Sequence, residues 1–320
     1  MRRSEYDVSD SICTTDPGEV GAEVLKLFRD LYDGSPGGKT IERAFDDLAR
    51  LYLGKHPDYH PCDTGYHDIQ HVLDVTLAMA RPMHGYERGR NGSGPLPPDL
   101  FTLGVVTALF HDFGYLRRRA DRRHRYGAEY TLNHVTRGSS FLLKYLRRIG
   151  MGRHARSAAQ LVHYTGYERP AESIRISDTM LRRIGHILGT ADIIAQMADR
   201  CYLEKCRDRL YPEFVLGGLA RRAMPNGRTQ VMFESGSDLV RKTPGFYANA
   251  TKRLDFQLAR AYDYAGRHFG GQNLYLEEMQ KNVRYAQAFA ANERNEQLRR
   301  TPPSTLLPEV EAYPKDLVIR

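Results

Sequence analysis

Apolar residues recur at spacings of three and four along most of this chain, the period of a helix with one buried face. Val20, Val24, Leu27, Phe28 and Leu31 trace such a face between Gly18 and Asp33. Ile41, Phe45, Leu48, Leu51 and Tyr52 trace a second, closed by Gly54 and Pro57. A third helix is expected from about Tyr66 to Ala80. The stretch RPMHGYERGRNGSGPLPP (81–98), punctuated by glycine and proline, predicts a flexible loop. Asp99 then caps a strongly apolar helix running through Phe113. Further helical segments are expected around 126–149, 154–164, 178–206, 246–266 and 274–298. No segment sustains the alternation of a strand, and no internal repeat is visible. The pattern predicts an all-α protein with a polar N-terminal tail over 1–17, a single helical domain over 18–300 and a C-terminal tail over 301–320.

At 320 residues the chain can build a core without disulfide or metal staples. The longest apolar run, FTLGVVTALFHDFGYL (101–116), is interrupted by His111 and Asp112, so no membrane span is expected. The N-terminal MRRSEYDVSDSICTTDPGE lacks the apolar core of a signal peptide. Four cysteines without a CxxC spacing point to reduced thiols and a cytoplasmic setting. The formal charge of +8 favours anionic partners: phosphates, nucleic acids or anionic lipids.

Three polar clusters break the apolar pattern. In TGYHDIQHVLDVTLAM (64–79), His67 and His71 share a helix face, with Asp74 close to it. Alone, such a pair is more often a hydrogen-bonded core feature than a ligand pair. In VVTALFHDFGY (105–115), burying the adjacent His111 and Asp112 costs several kcal/mol unless both are satisfied, and a metal ion satisfies both. In HILGTADIIAQMADR (186–200), Asp192 lies among Ile193, Ile194 and Met197, with Gln196 and Asp199 on the same stripe. Immediately after the doublet, YLRRRADRRHRYG (115–127) carries six arginines. A solvated surface is the plain reading of such a run. Arg117 and Arg118 are nonetheless candidates for phosphate binding, because guanidinium matches phosphate with two parallel hydrogen bonds.

The order His71, His111–Asp112, Asp192 resembles the HD-domain superfamily of metal-dependent phosphohydrolases. GYHDIQHVLDV (65–75) is similar to the Tyr-His-Asn-x-x-His-x-x-Asp-Val signature of class I cyclic-nucleotide phosphodiesterases, with Asp68 at the asparagine position. The match spans roughly 60–215. The resemblance implies a helical bundle around a metal site. His71, His111, Asp112 and Asp192 would ligate a first divalent metal: zinc, manganese, iron, cobalt or nickel. Asp112 would bridge to a second, more hydrated magnesium or manganese. His67 would be the general acid. The implied reaction is hydrolysis of a phosphodiester or phosphomonoester by metal-activated hydroxide, on an anionic small molecule such as a nucleotide.

Two departures stand out. Tyr115 occupies a position where the phosphodiesterases carry another histidine that supports the second metal. His124, Glu129, His134 and His163 all lie between the doublet and Asp192 and could replace it, as ligands or as supports, with His163 preferred and Glu129 second. Gln272 has the residue type of the glutamine that clamps a purine, in a glycine-rich context that does not match. A second reading is therefore an HD-fold di-iron oxygenase with the same ligands, its extra histidines filling the second iron site. A helical binding module without catalysis, and nucleic-acid binding through the basic surface, are also compatible with the chain. Nothing indicates an oligomeric state.

Overall fold

The computed structural model describes residues 2–90, 94–223, 228–291, 298–310 and 313–314. The expected all-α architecture is found. The helices are α1 (Pro17–Leu31), α2 (Gly37–Tyr52), α3 (Ile69–Arg88), α4 (Pro98–Leu109), α5 (His134–Arg148), α6 (Ala155–Leu161) and α7 (Thr179–Ala198). They continue with α8 (Tyr202–Lys205), a π-turn at Cys206–Leu210, α9 (Tyr211–Leu216), α10 (Gly236–Lys252), α11 (Asp263–His268) and α12 (Leu274–Ala291). A small antiparallel hairpin, β1 (Arg221–Ala223) with β2 (Thr229–Val231), was not anticipated. Three residues per strand are too few to show a period of two in sequence.

Helix α3 is central, packed by α1, α4, α7 and α11, and Leu73, Leu77, Met79 and Met83 are fully buried in it. Because it is enclosed on several sides, it continues eight residues beyond its expected end, through Pro82 and Gly85, to Arg88. The RPMHGYER stretch is therefore helix, not loop; positions 91–93 of the expected loop lie outside the described residues. A Cβ at Gly85 would run into the Tyr264 carbonyl, so glycine here permits the close approach of the segment leading into α11. His84 and His268, which sequence context alone would leave in solvent, meet at this junction. Their Nδ1 atoms lie 3.1 Å apart and His84 Nε2 lies 2.8 Å from Asp30. Burial, with Arg81 nearby, pushes His268 down to about 3.

The polar segment at residues 2–16 lies against the core. Arg81, buried on α3, donates to Asp7 at 2.5 Å and to Tyr275 at 3.1 Å. Burial opposes ionisation of Asp7, but Arg81 and hydrogen bonds from Ser9 and Ile12 outweigh it and hold the carboxyl at about 2. Asp7→Ala, which strands the Arg81 charge, is expected to destabilise the fold by roughly 3–5 kcal/mol in denaturant unfolding. The contribution is present above the ordinary carboxylate value of 3.8 and is lost as pH falls through about 2. An unchanged midpoint in Asp7→Ala would refute the docked arrangement.

The segments expected at 126–149, 178–206 and 246–266 are each broken. A 3-10 turn at Gly127–Tyr130 precedes α5, α7 stops at Ala198, and a π-turn at Arg253–Gln257 with positive φ at Ala259 and Arg260 separates α10 from α11. Positions 292–297 of the last expected helix lie outside the described residues, as do 311–312 and 315–320 of the expected tail. Nearer its start, that tail returns to the domain. Arg209 donates to the Pro302 and Pro303 carbonyls, and Thr305 donates to Asp68 at 2.6 Å.

Candidate metal centre

Three elements converge below one cavity. Asp68 caps α3 by accepting from the His71 amide at 3.0 Å, which places His71 in the first turn of the helix. Helix α4 ends at Leu109, and His111 and Asp112 follow on the turn that leads into Phe113–Tyr115. Asp192 comes from the middle of α7, which packs along α3. The His111 Nδ1–H donates to the Ala108 carbonyl at 2.7 Å, so the Nε2 lone pair faces the cluster.

The donor atoms are close. His71 Nε2 and His111 Nε2 lie 3.4 Å apart, and Asp112 Oδ2 lies 3.3 Å from each. Asp192 Oδ1 lies 3.5 Å from His71 Nε2 and 3.8 Å from His111 Nε2. Donors around a cation with bonds near 2.1 Å sit about 3.4 Å apart, and the buried trio His71, His111 and Asp112 is close enough together to hold one, with Asp192 standing beside the two histidines. Asp112 Oδ2 is buried and makes no hydrogen bond. A buried carboxylate oxygen without a partner is costly, and a divalent cation between it and the imidazoles removes that cost. The residues present therefore fit a metal.

The electrostatics agree. Burial opposes protonation of His71, yet Asp112 and Asp192 bring its imidazole up to about 10. His111 is raised in the same way, against its burial, chiefly by Asp112. Burial also opposes ionisation of Asp112, but His111 and His71 hold it well below the usual carboxylate range. The site attracts positive charge, and a proton answers that attraction where no cation does.

The other oxygen of Asp112 faces a different histidine. His134 Nε2 lies 3.7 Å from Asp112 Oδ1, while His134 Nδ1–H donates to the Thr131 carbonyl at 2.7 Å. Burial pushes His134 down, so its ring is neutral with the Nε2 lone pair available. This approach depends on Gly114, where a Cβ would collide with the His134 carbonyl. Tyr115 lies between two imidazoles, its ring stacked 4.4 Å from His67 on one side and 4.4 Å from His134 on the other.

His67 lies beside the cluster, on the cavity wall. Its Nδ1 is 2.5 Å from Oε2 of Glu213, a fully buried carboxylate on α9 whose Oε1 accepts from the Tyr66 amide at 2.6 Å. The cavity above these groups has a volume of about 520 Å³ and extends between α7, the Cys206–Leu210 turn and α10. One wall contains Gln196, whose Oε1 accepts from the Tyr66 hydroxyl at 3.0 Å.

No family model matches the chain, and no curated protein matches it. Among solved structures, the phosphodiesterase domain of the RhoPDE fusion protein from the choanoflagellate Salpingoeca rosetta is similar over 90% of this chain and 95% of that one. Its TM-score is 0.50 at 12% sequence identity. The chain shares the helical fold of a phosphodiesterase domain. At that identity the likeness concerns the fold, and the chemistry rests on the side chains of this chain.

Within that phosphodiesterase-like fold, the remaining candidates are placed elsewhere. Glu129 accepts from the Arg125 and Tyr126 amides and does not line the cavity. His163 is buried behind the wall, its Nδ1 3.9 Å from Glu168. Arg117 donates to Asp63 at 2.7 Å, and Arg118 lies over the Tyr59 ring. Both arginines help tie the 56–68 loop to the segment after the doublet, away from the cavity. Gln272 is exposed and bonded to Glu277. Asp74 faces Asp199, Lys205 and Thr14 in the core, where burial and Asp199 push it up to about 7.

Sequence reasoning named His134 only among four possible replacements without preferring it, and did not name Glu168 or Glu213. His134 was one of several histidines in its interval, and Glu213 sits in an unremarkable YPEF stretch. Nothing local marks either residue, since both reach the site through packing between distant segments. Removing a donor that stabilises charge in a reaction costs about a hundredfold or more. Arg118→Ala, by contrast, is expected to leave kcat/KM unchanged. A hundredfold loss in that variant would return the arginine run to the site.

Proposed function

We propose that this protein is an HD-type, metal-dependent phosphohydrolase acting on an anionic small-molecule phosphoester. The observation that carries the proposal is the Asp112 carboxylate. One oxygen is buried without a hydrogen bond between His71 and His111, and the other faces His134. A carboxylate so arranged suits two cations side by side.

His71, His111, Asp112 and Asp192 would hold the first metal, for which their mixed donors suit zinc, manganese, iron, cobalt or nickel. Asp112 and His134 would border a second site for magnesium or manganese, and the imidazole there favours manganese. When bound, such cations lower the pKa of coordinated water toward about 7 and neutralise phosphoryl oxygens. The chain's own residues supply the rest. His67 faces the cavity, where its Nε2 can give a proton to the departing alkoxide. Glu213 holds Nδ1 and so orients the ring with Nε2 toward the cavity. Tyr115 fixes the spacing between that acid and His134 by stacking on both.

The oxygenase reading drew on surplus histidines. Among the described residues, His124, His154 and His163 do not line the cavity, which leaves His134 as the one surplus histidine there besides His67. Three buried cysteines and a fourth that is partly buried, all unpaired, support a reducing, cytoplasmic setting. Among the described residues no helix is long and apolar enough to cross a membrane.

The test is metal analysis of the purified protein, followed by hydrolysis of bis-p-nitrophenyl phosphate with added manganese or nickel. Bound metal and turnover that chelation removes are expected. Two bound irons with a visible charge-transfer band and no phosphoesterase activity would overturn the proposal.

A further inference from the structure

Resting on the phosphohydrolase reading, the structure assigns a substrate class: we propose that the cavity selects phosphoesters carrying an apolar alkyl or aryl arm over nucleotides. The metal cluster occupies only one end of the cavity. Away from it, the walls are Leu210, Phe214, Leu219, Phe233, Leu239 and Phe246, with the Phe214 and Phe233 rings 5.7 Å apart.

The polar groups among these walls are already engaged. Lys242 is the one lysine or arginine lining the cavity among the described residues. Its ammonium donates to the Met232 carbonyl at 2.7 Å and to Asp238 at 2.8 Å. Thr243 donates to the Leu239 carbonyl at 3.2 Å, and Tyr202 and Cys206 bond to each other. Gln196, the single side-chain amide in the lining, stands at the metal end. It accepts from Tyr66 and donates to the Asp192 carbonyl at 3.1 Å.

A nucleobase seated against these apolar walls would lose hydrogen bonds that its ring makes to water, at about tenfold or more in affinity for each group left unpaired. A second or third phosphate would find no free cation among the side chains of this cavity. An apolar arm has neither difficulty and gains from every methylene removed from water.

The entrance has the same character. Leu132 (65% exposed), Tyr167 (62%) and Phe246 (37%) all line the cavity and all reach solvent. Large apolar side chains clustered at an opening mark a site for an apolar ligand. A longer chain could extend from the metal end out across this lip.

The experiment measures, by calorimetry, the affinity of manganese-loaded protein for n-alkylphosphonates from methyl to octyl and for thymidine monophosphate. Affinity should rise about fourfold with each methylene while the chain lies within the cavity. Hexylphosphonate should then bind at least about a hundredfold more tightly than methylphosphonate and more tightly than the nucleotide. The hexyl-to-methyl ratio should shrink about tenfold or more in Phe246→Ser and in Phe233→Ser, two partly exposed positions that tolerate polar residues. A ratio below about threefold in the unaltered protein, or tighter binding of thymidine monophosphate than of hexylphosphonate, would overturn the inference. Hydrolysis of bis-p-nitrophenyl phosphate is scored in parallel. Turnover with a flat affinity ladder defeats the substrate class and leaves the hydrolase reading standing, whereas a steep ladder without turnover does the reverse.

Discussion

Asp112→Asn should reduce manganese-dependent hydrolysis of bis-p-nitrophenyl phosphate by at least about a thousandfold, the equivalent of several kcal/mol of transition-state stabilisation. The amide keeps the shape of the carboxylate but removes the charge between three imidazoles. It also replaces one acceptor oxygen with an N–H donor that can occupy the ring-nitrogen lone pairs a metal would need. Bound metal, counted by elemental analysis, should fall in the same variant. Asp192→Asn should weaken metal binding as well, but less, because Asp192 touches only the first cluster while Asp112 faces both histidine sets. Full metal content and normal turnover in Asp112→Asn would remove the basis of the proposed chemistry.

The second large effect concerns the proton rather than the metal. His67→Asn should lower turnover by about 10²–10⁴-fold on an ester whose leaving group is an alkoxide, because that oxygen must be protonated as it departs. On a p-nitrophenyl ester the loss should be under about tenfold, since nitrophenolate leaves without help. Glu213→Gln should show the same leaving-group dependence in weaker form, because it alters the ring only through Nδ1. Equal losses on both esters would show that His67 serves binding or folding and not proton transfer.

The relation between these predictions and the chain is uneven. The helices were legible because burial of one face imposes a period that survives in sequence, as in the Val20–Leu31 and Ile41–Tyr52 stripes. The need of the adjacent His111 and Asp112 for a partner was also legible, while their grouping with His71 and Asp192 was implied only by the resemblance to the HD superfamily. Ionisable groups inside apolar runs are too costly to be incidental, so their presence announces a partner. The reach of α3 through Pro82 to Arg88 was not legible, because local glycine and proline signals are weaker than enclosure by α11 and α1.

Other features belong to the tertiary structure alone. His134 meets Asp112 only because Gly114 lets two backbone segments touch, and Glu213 meets His67 across 146 positions of chain. The arginine run carries no local sign that it would bind the 56–68 loop rather than phosphate. Periodicity and the cost of buried charge act within a few residues of each other and so can be read along the chain. The second histidine set, the partner of the acid and the character of the cavity walls arise where segments far apart in sequence are packed together, and only their positions in space decide them.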